Sequence, residues 1–260
     1  MDNENEGFAN DYISAIRPKK SMMRVLDTGK RSATENMAID AELLESMTLA
    51  DASPTLHFYD WESPSATYGY FTDPATLLSL DAVKKLGLDI ARRPTGGGVI
   101  FHTTDWAFSL AIPSTHPGYS VNTLDNYAYV NRFVIRALAA FLGTDHQLSF
   151  LENEIAIDNK HAHHFCMAKP TKYDVMFGKR KIGGAAQRRT RFGLLHQGSI
   201  SLTLPDPIFL SQVLLSHVDV MEAMSRSTSA LLPENASAFD IASARAALKL
   251  LLSNMLTSDS

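Results

Sequence analysis

The amino-acid sequence predicts one domain that combines α-helices with β-strands. Segments with the spacing of amphipathic helices are interspersed with short apolar runs typical of strands. Apolar residues make up 45% of the 260 residues and charged residues 20%, which fits a packed soluble core. Neither a repeat nor a linker divides the chain, so we expect a single folded unit.

The first elements follow a polar N-terminal extension, assigned to residues 1–22. A first strand is predicted at Met23–Leu26. Ser32 and Glu35 have the separation of a capping box, which marks the start of a helix. This helix is predicted over 34–49 because apolar residues share one face, at Met37, Ala41, Leu44 and Met47.

Two strands, a helix and a third strand come next. The strands are predicted at 56–59 and 66–70, on either side of a turn that contains Pro64. A helix over 76–86 and a strand over 88–92 follow. The aromatic residues of these strands are expected in the core. In the alternative interpretation, Tyr68, Gly69 and Tyr70 form a wall of an acyl-binding pocket.

Three consecutive glycines, Gly96–Gly98, form the centre of the first candidate site. Glycine has no Cβ and reaches positive φ freely, so such a loop allows backbone N–H groups to approach a ligand. Arg92 and Arg93 precede the loop and are suited to a carboxylate or phosphate. A buried strand is predicted directly after it, at 99–101, which indicates a loop fixed to the core. The spacing matches neither a Walker A nor a Rossmann motif.

A strand and a long helix occupy the middle of the chain. The strand is predicted over 105–112 and ends at Pro113. The helix is predicted over 124–142, where apolar residues line one face, and Gly143 ends it. One or two short strands are expected within 148–157.

The segment His161–Cys166 holds three histidines and a cysteine, residue types that bind zinc. No second cluster with ligand spacing accompanies it in the sequence. We therefore expect no metal, and a polar loop beside a reactive site instead. His161, His163 and His164 have no assigned role.

A β-hairpin is predicted from strands 173–177 and 180–182 around Gly178 and Lys179. The small residues after it suggest a second loop, over 181–187, where a ligand packs closely. Positions 179 to 191 contain six basic residues and no acidic residue. This cluster predicts either a solvated surface or a docking patch for an acidic partner, formed by Lys179, Arg188, Arg189 and Arg191.

The C-terminal part is predicted to hold one strand and two helices. The strand covers 198–204, where polar and apolar residues alternate. A helix begins at Pro207 and continues to about residue 216, and an amphipathic helix covers 236–256.

Charge and cysteine content restrict the compartment and the partners. The net charge is −4, which does not favour a nucleic-acid partner. Cys166 is the single cysteine, so a reducing compartment is expected. The sequence has no signal-peptide core and no apolar run of membrane-spanning length, and we expect a cytoplasmic protein.

Several motifs, taken together, resemble the lipoate–protein ligase A family. The segment Arg92–Gly98 with His102 resembles the family's signature loop. The segments 178–189 and 195–200 resemble its second and third motifs, and 36–40 and 69–70 match weaker positions. The similarity extends from about residue 23 to 204. The biotin ligase branch carries a different arginine-glycine loop and is disfavoured.

The resemblance implies a fold and a reaction. The fold is a mixed α+β catalytic domain of the class II synthetase and biotin-ligase type, with helices flanking a mixed sheet. We assign it to residues 23–260. The reaction joins a lipoyl or octanoyl group to a lysine of a lipoyl carrier domain, as in 2-oxoacid dehydrogenase complexes or the glycine cleavage H protein. An acyl-carrier protein is a possible donor.

The motif positions supply the candidate site residues. Lys181 corresponds to the family's functional lysine. Cys166, fifteen positions earlier, stands where cysteine-type octanoyltransferases carry their nucleophile, before a Pro-Thr-x-Tyr run. The acyl or adenylate site is assigned to Arg92, Arg93, Thr95, Gly96, Gly97, Gly98, His102, Tyr68, Gly69, Gly183, Gly184, Ala185 and His196.

Three functions remain open from the sequence. The preferred one is acyl transfer through a Cys166 thioester, with the thiol pKa lowered by Lys181 and nearby histidines. The second is ATP- and Mg²⁺-dependent ligation through an acyl-adenylate. Against it, the 56 residues after Leu204 are fewer than the accessory domain of the longer ligases needs. The third is a non-catalytic protein that binds lipoyl domains.

Overall fold

The structure, a computed structural model, describes residues 22–144, 147–151, 165 and 171–258. Ten strands are found in this part of the chain: β1 (Arg24–Arg31), β2 (Thr55–Trp61), β3 (Ser65–Tyr68), β4 (Asp89–Arg92), β5 (Val99–His102), β6 (Asp105–Pro113), β7 (Leu148–Phe150), β8 (Val175–Phe177), β9 (Arg180–Arg189) and β10 (Gly193–Ser201). The helices of the same residues are α1 (Ala33–Ser46), α2 (Leu80–Lys85), α3 (Thr123–Leu142), α4 (Pro207–Val213), α5 (His217–Ser227) and α6 (Ala238–Ser258). None of these helices has the length and apolar character that a bilayer crossing requires.

A seven-stranded mixed sheet forms the centre of the fold. Its strand order is β1-β2-β6-β10-β9-β8-β7. β1 and β2 are parallel, and the other neighbours in this sheet are antiparallel. The predicted α+β class with a mixed sheet and flanking helices is therefore confirmed.

The two faces of this sheet bury different side chains because successive residues of a strand point to opposite faces. On β6, Phe108, Leu110 and Ile112 belong to the main apolar core with α3 and α6. Ala107 and Ala111 face the other way and pack in small clusters with α1. The small alanine side chains let α1 lie close to the sheet.

A second sheet, with the order β4-β3-β5, holds the glycine loop. β3 pairs with β4 in parallel and with β5 antiparallel, so the loop 93–98 connects the two outer strands of this sheet. Helices α4 and α5 supply an apolar cluster for it, and the Asp89 carboxylate accepts a hydrogen bond from Ala33 N of α1 at 2.6 Å. The sheet that carries the loop is thus linked to α4 and α5 and to α1.

Most predicted elements are confirmed, including the capping box of Ser32 and Glu35 on α1 and the glycine that ends α3. Two predictions were wrong, and one helix was missed. The helix expected over 76–86 is confined to α2, after a short 3₁₀ turn at Pro74–Thr76. The second loop expected over 181–187 is the middle of strand β9. Helix α5 was not predicted.

Candidate active site

A cavity of about 290 Å³ separates the glycine loop from strand β9. The loop supplies one wall and the strand another. Tyr127 of α3, together with Phe165 and Thr171, completes the lining. Its lining residues are Gly96, Gly97, Gly98, Tyr127, Phe165, Thr171, Lys181, Ala185, Ala186 and Gln187. Two segments about ninety residues apart in sequence therefore meet around one space.

The shape of the glycine loop depends on a close backbone contact with the turn after β3. Gly97 has a φ of 90°, which favours glycine. A Cβ at Gly69 would lie 1.8 Å from Gly97 O, so only glycine fits there. Gly69 N donates to Gly98 O at 3.3 Å and Tyr70 N to Thr95 O at 2.9 Å. The predicted site residue Gly69 thus forms part of the loop's support.

Arg93 holds the loop from inside. Its side chain is 4% exposed, and Nε and Nη2 donate to Gly96 O at 3.0 and 2.7 Å. Nη1 donates to Thr67 O at 3.1 Å. The sequence analysis assigned this guanidinium to a ligand's carboxylate or phosphate, but these contacts direct it to backbone carbonyls. The preceding residue, Arg92, is exposed, and its guanidinium carbon lies 4.9 Å from the centroid of the Tyr70 ring.

Thr95 connects the loop to a buried polar network that the sequence did not indicate. Its hydroxyl donates to Gln197 Oε1 at 2.6 Å, and Gln197 Nε2 donates to Asp40 Oδ2 at 2.6 Å. The other oxygen of Asp40 accepts from Ser109 Oγ at 2.5 Å and from His57 Nδ1 at 2.8 Å. Because these groups are mutually satisfied, they fix the loop's base rather than bind a ligand.

His102 belongs to a second buried network, behind the loop. Nδ1 donates to Asp105 Oδ2 at 2.7 Å and Nε2 contacts Thr67 Oγ1 at 2.9 Å. Ser199 Oγ donates to the same Asp105 oxygen at 2.6 Å. Burial raises the pKa of Asp105, but His102, Ser199 and Arg245 together outweigh burial and hold that pKa below its ordinary value. Since both ring nitrogens of His102 are engaged, the imidazole supports the site and has no nitrogen left for an acyl or adenylate group.

Lys181 is buried against a carboxylate. Its side chain is 3% exposed, and Nζ lies 2.7 Å from Asp174 Oδ2. That oxygen also accepts hydrogen bonds from Thr171 N and Oγ1, at 2.6 and 2.9 Å. An ammonium in such surroundings requires its partner, because an unpaired buried charge is costly. The role of Asp174 was missed, since nothing in the sequence indicates that it faces Lys181.

A β-bulge determines which glycine of β9 faces Lys181. Met176 pairs with Lys181 but Val175 pairs with Gly183, so the register shifts at Ile182. A Cβ on Gly184 would lie 2.8 Å from Lys181 Nζ, whereas one on Gly183 would meet Ile200 Cδ1 in the core at 2.3 Å. Both were predicted site residues, but only Gly184 makes room for the lysine.

Two predicted ligand-binding residues, His196 and Tyr68, are not among the residues that line the cavity. His196 lies on the α3 face of β10, where its ring is 5.8 Å from Tyr127 and 6.1 Å from Phe108. Its neighbour Gln197 faces the glycine loop instead, because side chains alternate along a strand. Burial lowers the pKa of His196 to about 3, so the ring is neutral. Tyr68 packs against the apolar cluster of α4 and α5.

The predicted basic docking patch is divided. Lys179 lies in the hairpin turn before β9, while Arg188 is near the end of that strand. At about 3.3 Å per residue, roughly 26 Å separates Arg180 from Arg188. Arg188 lies beside the glycine loop, with its Nη1 3.3 Å from Pro94 O, and Arg189 and Arg191 are exposed near it. Only the three arginines remain candidates for one surface.

The predicted nucleophile and the histidine cluster lie outside the described residues. These are Cys166, His161, His163 and His164. Phe165, which directly precedes Cys166 in the sequence, is described: it lines the cavity and forms an isolated bridge with Val99 beside the glycine loop.

Comparison with known sequences identifies one family. The family profile described as the lipoyl protein ligase A/B catalytic domain matches residues 32–239. An octanoyltransferase LipM of Anoxybacillus flavithermus is 31% identical over 195 residues, covering 74% of this chain and 70% of the relative. An octanoyltransferase LipM of Symbiobacterium thermophilum is 34% identical, covering 71% and 67%.

Solved structures share the fold. A lipoate-protein ligase A bound with ATP has a TM-score of 0.62 and 25% identity, covering 92% of this chain and 86% of that one. A Thermoplasma acidophilum protein with bound lipoic acid has a TM-score of 0.61 and 24% identity over the same shares. The latter similarity concerns the fold alone.

Proposed function

This chain belongs to the lipoyl protein ligase A/B catalytic-domain family, and from that premise we propose that it transfers an octanoyl group to a lysine of a lipoyl carrier domain through a thioester on Cys166. The relatives named above are octanoyltransferases. The observation that carries the proposal is the cavity shared by Gly96–Gly98, Lys181 and Phe165, the residue before Cys166.

In the first step, the Cys166 thiolate attacks the carbonyl carbon of an octanoyl thioester. The C–S bond to the donor breaks, and the donor thiolate leaves and takes up a proton. The tetrahedral intermediate carries a negative oxygen, which amide groups of the glycine loop are suited to stabilise, each by about 3 kcal/mol. The Lys181 ammonium lines the same cavity and favours the negative charge of both the oxyanion and the thiolate.

In the second step, the neutral amine of the acceptor lysine attacks the Cys166 thioester. A C–N amide bond forms, the sulfur leaves as a thiolate, and the amine proton passes to solvent. The preformed loop matters here because it keeps the donors in place without reorganisation. The requirement for a free thiol fits a reducing compartment such as the cytoplasm.

The acyl chain is assigned to the apolar side of the cavity. Ala185 and Ala186 line both this cavity and a smaller one of about 30 Å³ beneath the loop. Met37 and Ile100 line the smaller one, and methionine adapts readily to a chain placed against it. We therefore place the carbonyl at the glycine loop and the alkyl tail towards Met37.

The acceptor we propose is the lipoyl domain of a 2-oxoacid dehydrogenase complex or the glycine cleavage H protein, with an acyl-carrier protein as donor. The decisive experiment incubates the purified protein with an octanoyl thioester and follows its mass. The protein should gain one octanoyl group, which a lipoyl domain then removes and carries as an amide.

Three outcomes would contradict this function. If Cys166→Ser retains full transfer, the thioester route is wrong. If octanoylation instead requires free octanoate and ATP and releases AMP, the protein is a ligase. A lipoyl domain that binds but stays unmodified under every donor would indicate a non-catalytic binding protein.

A further inference from the structure

We propose that an aromatic and arginine surface at the mouth of the cavity, formed by Tyr70, Phe71, Arg92 and Arg188, is where the lipoyl domain docks. This inference rests on the proposed function, because it names the surface that receives the acceptor. We call these four residues the docking surface.

Phe71 is the most unusual member. Its side chain is 92% exposed, although an aromatic ring in water loses the benefit of burial. Phe71 meets the Tyr70 ring edge to face with centroids 5.1 Å apart. Aromatic side chains, phenylalanine included, are enriched at protein interfaces relative to the rest of the surface.

The guanidinium groups of Arg92 and Arg188 lie over the Tyr70 ring, at 4.9 and 5.0 Å from its centroid. This stacking orients them while leaving their donors available to carboxylates. Within the described residues, neither guanidinium forms an ion pair with a carboxylate. Asp73, the acid closest in sequence to Phe71, accepts a hydrogen bond from Ala75 N at 3.0 Å.

The docking surface is joined to the catalytic loop by short bonds. Tyr70 N donates to Thr95 O at 2.9 Å, Thr72 Oγ1 to Gly97 O at 2.9 Å, and Arg188 to Pro94 O at 3.3 Å. A partner bound on Phe71 therefore sits at the rim of the cavity that Lys181 lines. A lysine on that partner has a short path to the reacting carbonyl.

The chemistry of the surface determines the occupant. Oriented arginines that have no carboxylate partner among the described residues favour carboxylates on a bound protein, and the exposed ring favours an apolar contact. We infer a lipoyl domain with acidic residues around its acceptor lysine and an apolar side chain beside them. Such a charge arrangement makes association sensitive to ionic strength.

The test measures octanoyl transfer from a small octanoyl thioester to a lipoyl domain, at varied lipoyl-domain concentration. Phe71→Ala and Arg188→Glu should each raise the KM for the lipoyl domain about tenfold or more. The first removes the apolar ring of the docking surface, and the second reverses a charge that attracts carboxylates. Phe71→Ala should still be octanoylated by the small thioester as fast as the wild type. Arg188→Glu should also weaken the salt dependence of KM.

Two matched controls separate docking from general damage. Phe239→Ala removes another exposed phenylalanine, 78% exposed, at the start of α6. Arg24→Glu reverses an exposed arginine on β1, at the far edge of the large sheet. Both should leave KM unchanged.

Each other result overturns the assignment in a recognisable way. If the wild type transfers octanoyl groups but Phe71→Ala and Arg188→Glu keep its KM, the surface does not dock the lipoyl domain. If the two variants slow only charging from an octanoyl acyl-carrier protein, the occupant is that protein. If the wild type shows no transfer at all, the proposed function fails instead.

Discussion

The buried pair of Lys181 and Asp174 determines whether the site carries a usable positive charge. Nζ lies 2.7 Å from the Asp174 carboxylate, and Thr171 donates two further hydrogen bonds to it. The carboxylate thus fixes the ammonium at the cavity wall. Lys181 was identified from its motif, whereas its partner depends on a turn that brings Thr171 and Asp174 towards β9.

Asp174→Ala should leave Lys181 with an uncompensated buried charge. We expect a loss of about 3–5 kcal/mol in the free energy of unfolding, because breaking one side of a buried pair is costly. Chemical denaturation measures this loss. The double variant Asp174→Ala with Lys181→Met should recover part of it while remaining inactive. If the double variant is no more stable than the single one, the charge is not the cause.

His196 makes stability depend on pH in a defined direction. Burial lowers its pKa from 6.5 to about 3. Between these pH values the imidazole is protonated in the unfolded chain and neutral in the folded chain. The stabilising contribution is complete above pH 6.5 and is lost as the pH falls towards 3. At 1.36 kcal/mol per unit, the loss between pH 6.5 and 5 is about 2 kcal/mol.

Denaturation of the wild type and of His196→Gln at pH 7 and pH 5 tests this. The stability difference between the two proteins should shrink by about 2 kcal/mol at the lower pH. Equal differences at both pH values would show that the pKa of His196 is the same in the folded and the unfolded chain.

At the scale of single elements, strand β9 organises the site through one irregularity. The bulge at Ile182 places Lys181 and Gly184 on the same face, and the following residues extend the cavity wall to Gln187. A sequence pattern of small residues was interpreted as a loop. The pattern instead reflects a strand whose side chains must leave room for a lysine and for a substrate.

Gly184→Ala should displace the Lys181 side chain, because the added methyl group would lie 2.7–2.8 Å from its end. We expect octanoyl transfer to fall by about tenfold to a hundredfold, since a displacement of about 1 Å has effects of that order. Gly178→Ala is the control: it strains a hairpin residue with a φ of 60° but meets no atom within 4 Å. It should cost about 1 kcal/mol of stability and leave kcat intact. Equal rates in both variants would contradict the role of Gly184.

At the scale of the whole molecule, buried polar groups connect the glycine loop to β1, an edge strand of the large sheet. The chain of hydrogen bonds passes from Thr95 through Gln197 and Asp40 to His57, and His57 Nε2 contacts Thr28 Oγ1 on β1 at 2.9 Å. Asp40 belongs to α1 and has no exposed surface. Helix, sheet and loop therefore share one carboxylate.

Asp40→Ala should disturb the loop as well as the core. We expect a loss of about 3 kcal/mol in the free energy of unfolding, because His57, Ser109 and Gln197 lose a charged acceptor. Octanoyl transfer should fall too, although Asp40 lines neither cavity described above. Denaturation and kinetics on the same preparation measure both effects. A variant with normal kcat would show that the loop keeps its shape without the network.

The sequence predicted the fold class, the glycine loop and the motif lysine because local patterns encode them. A capping box, helical spacing and three glycines can each be recognised in a short window. The direction of Arg93, the partner of Lys181 and the buried position of His196 depend on neighbours that are distant in the chain. A β-bulge or the face of a strand changes such contacts without changing the local pattern, so these could not be predicted.

The contact between Gly69 and Gly97 has a consequence for protein engineering. The six residues 93–98 depend on residues outside the segment for part of their shape, namely Thr67 on β3 and Gly69 in the turn after β3. If the glycine segment alone were grafted into another scaffold, it would be a flexible linker without a defined conformation. A transferable module has to contain both 65–72 and 89–102, because this is the smallest pair of segments that includes the loop and the residues that hold its shape.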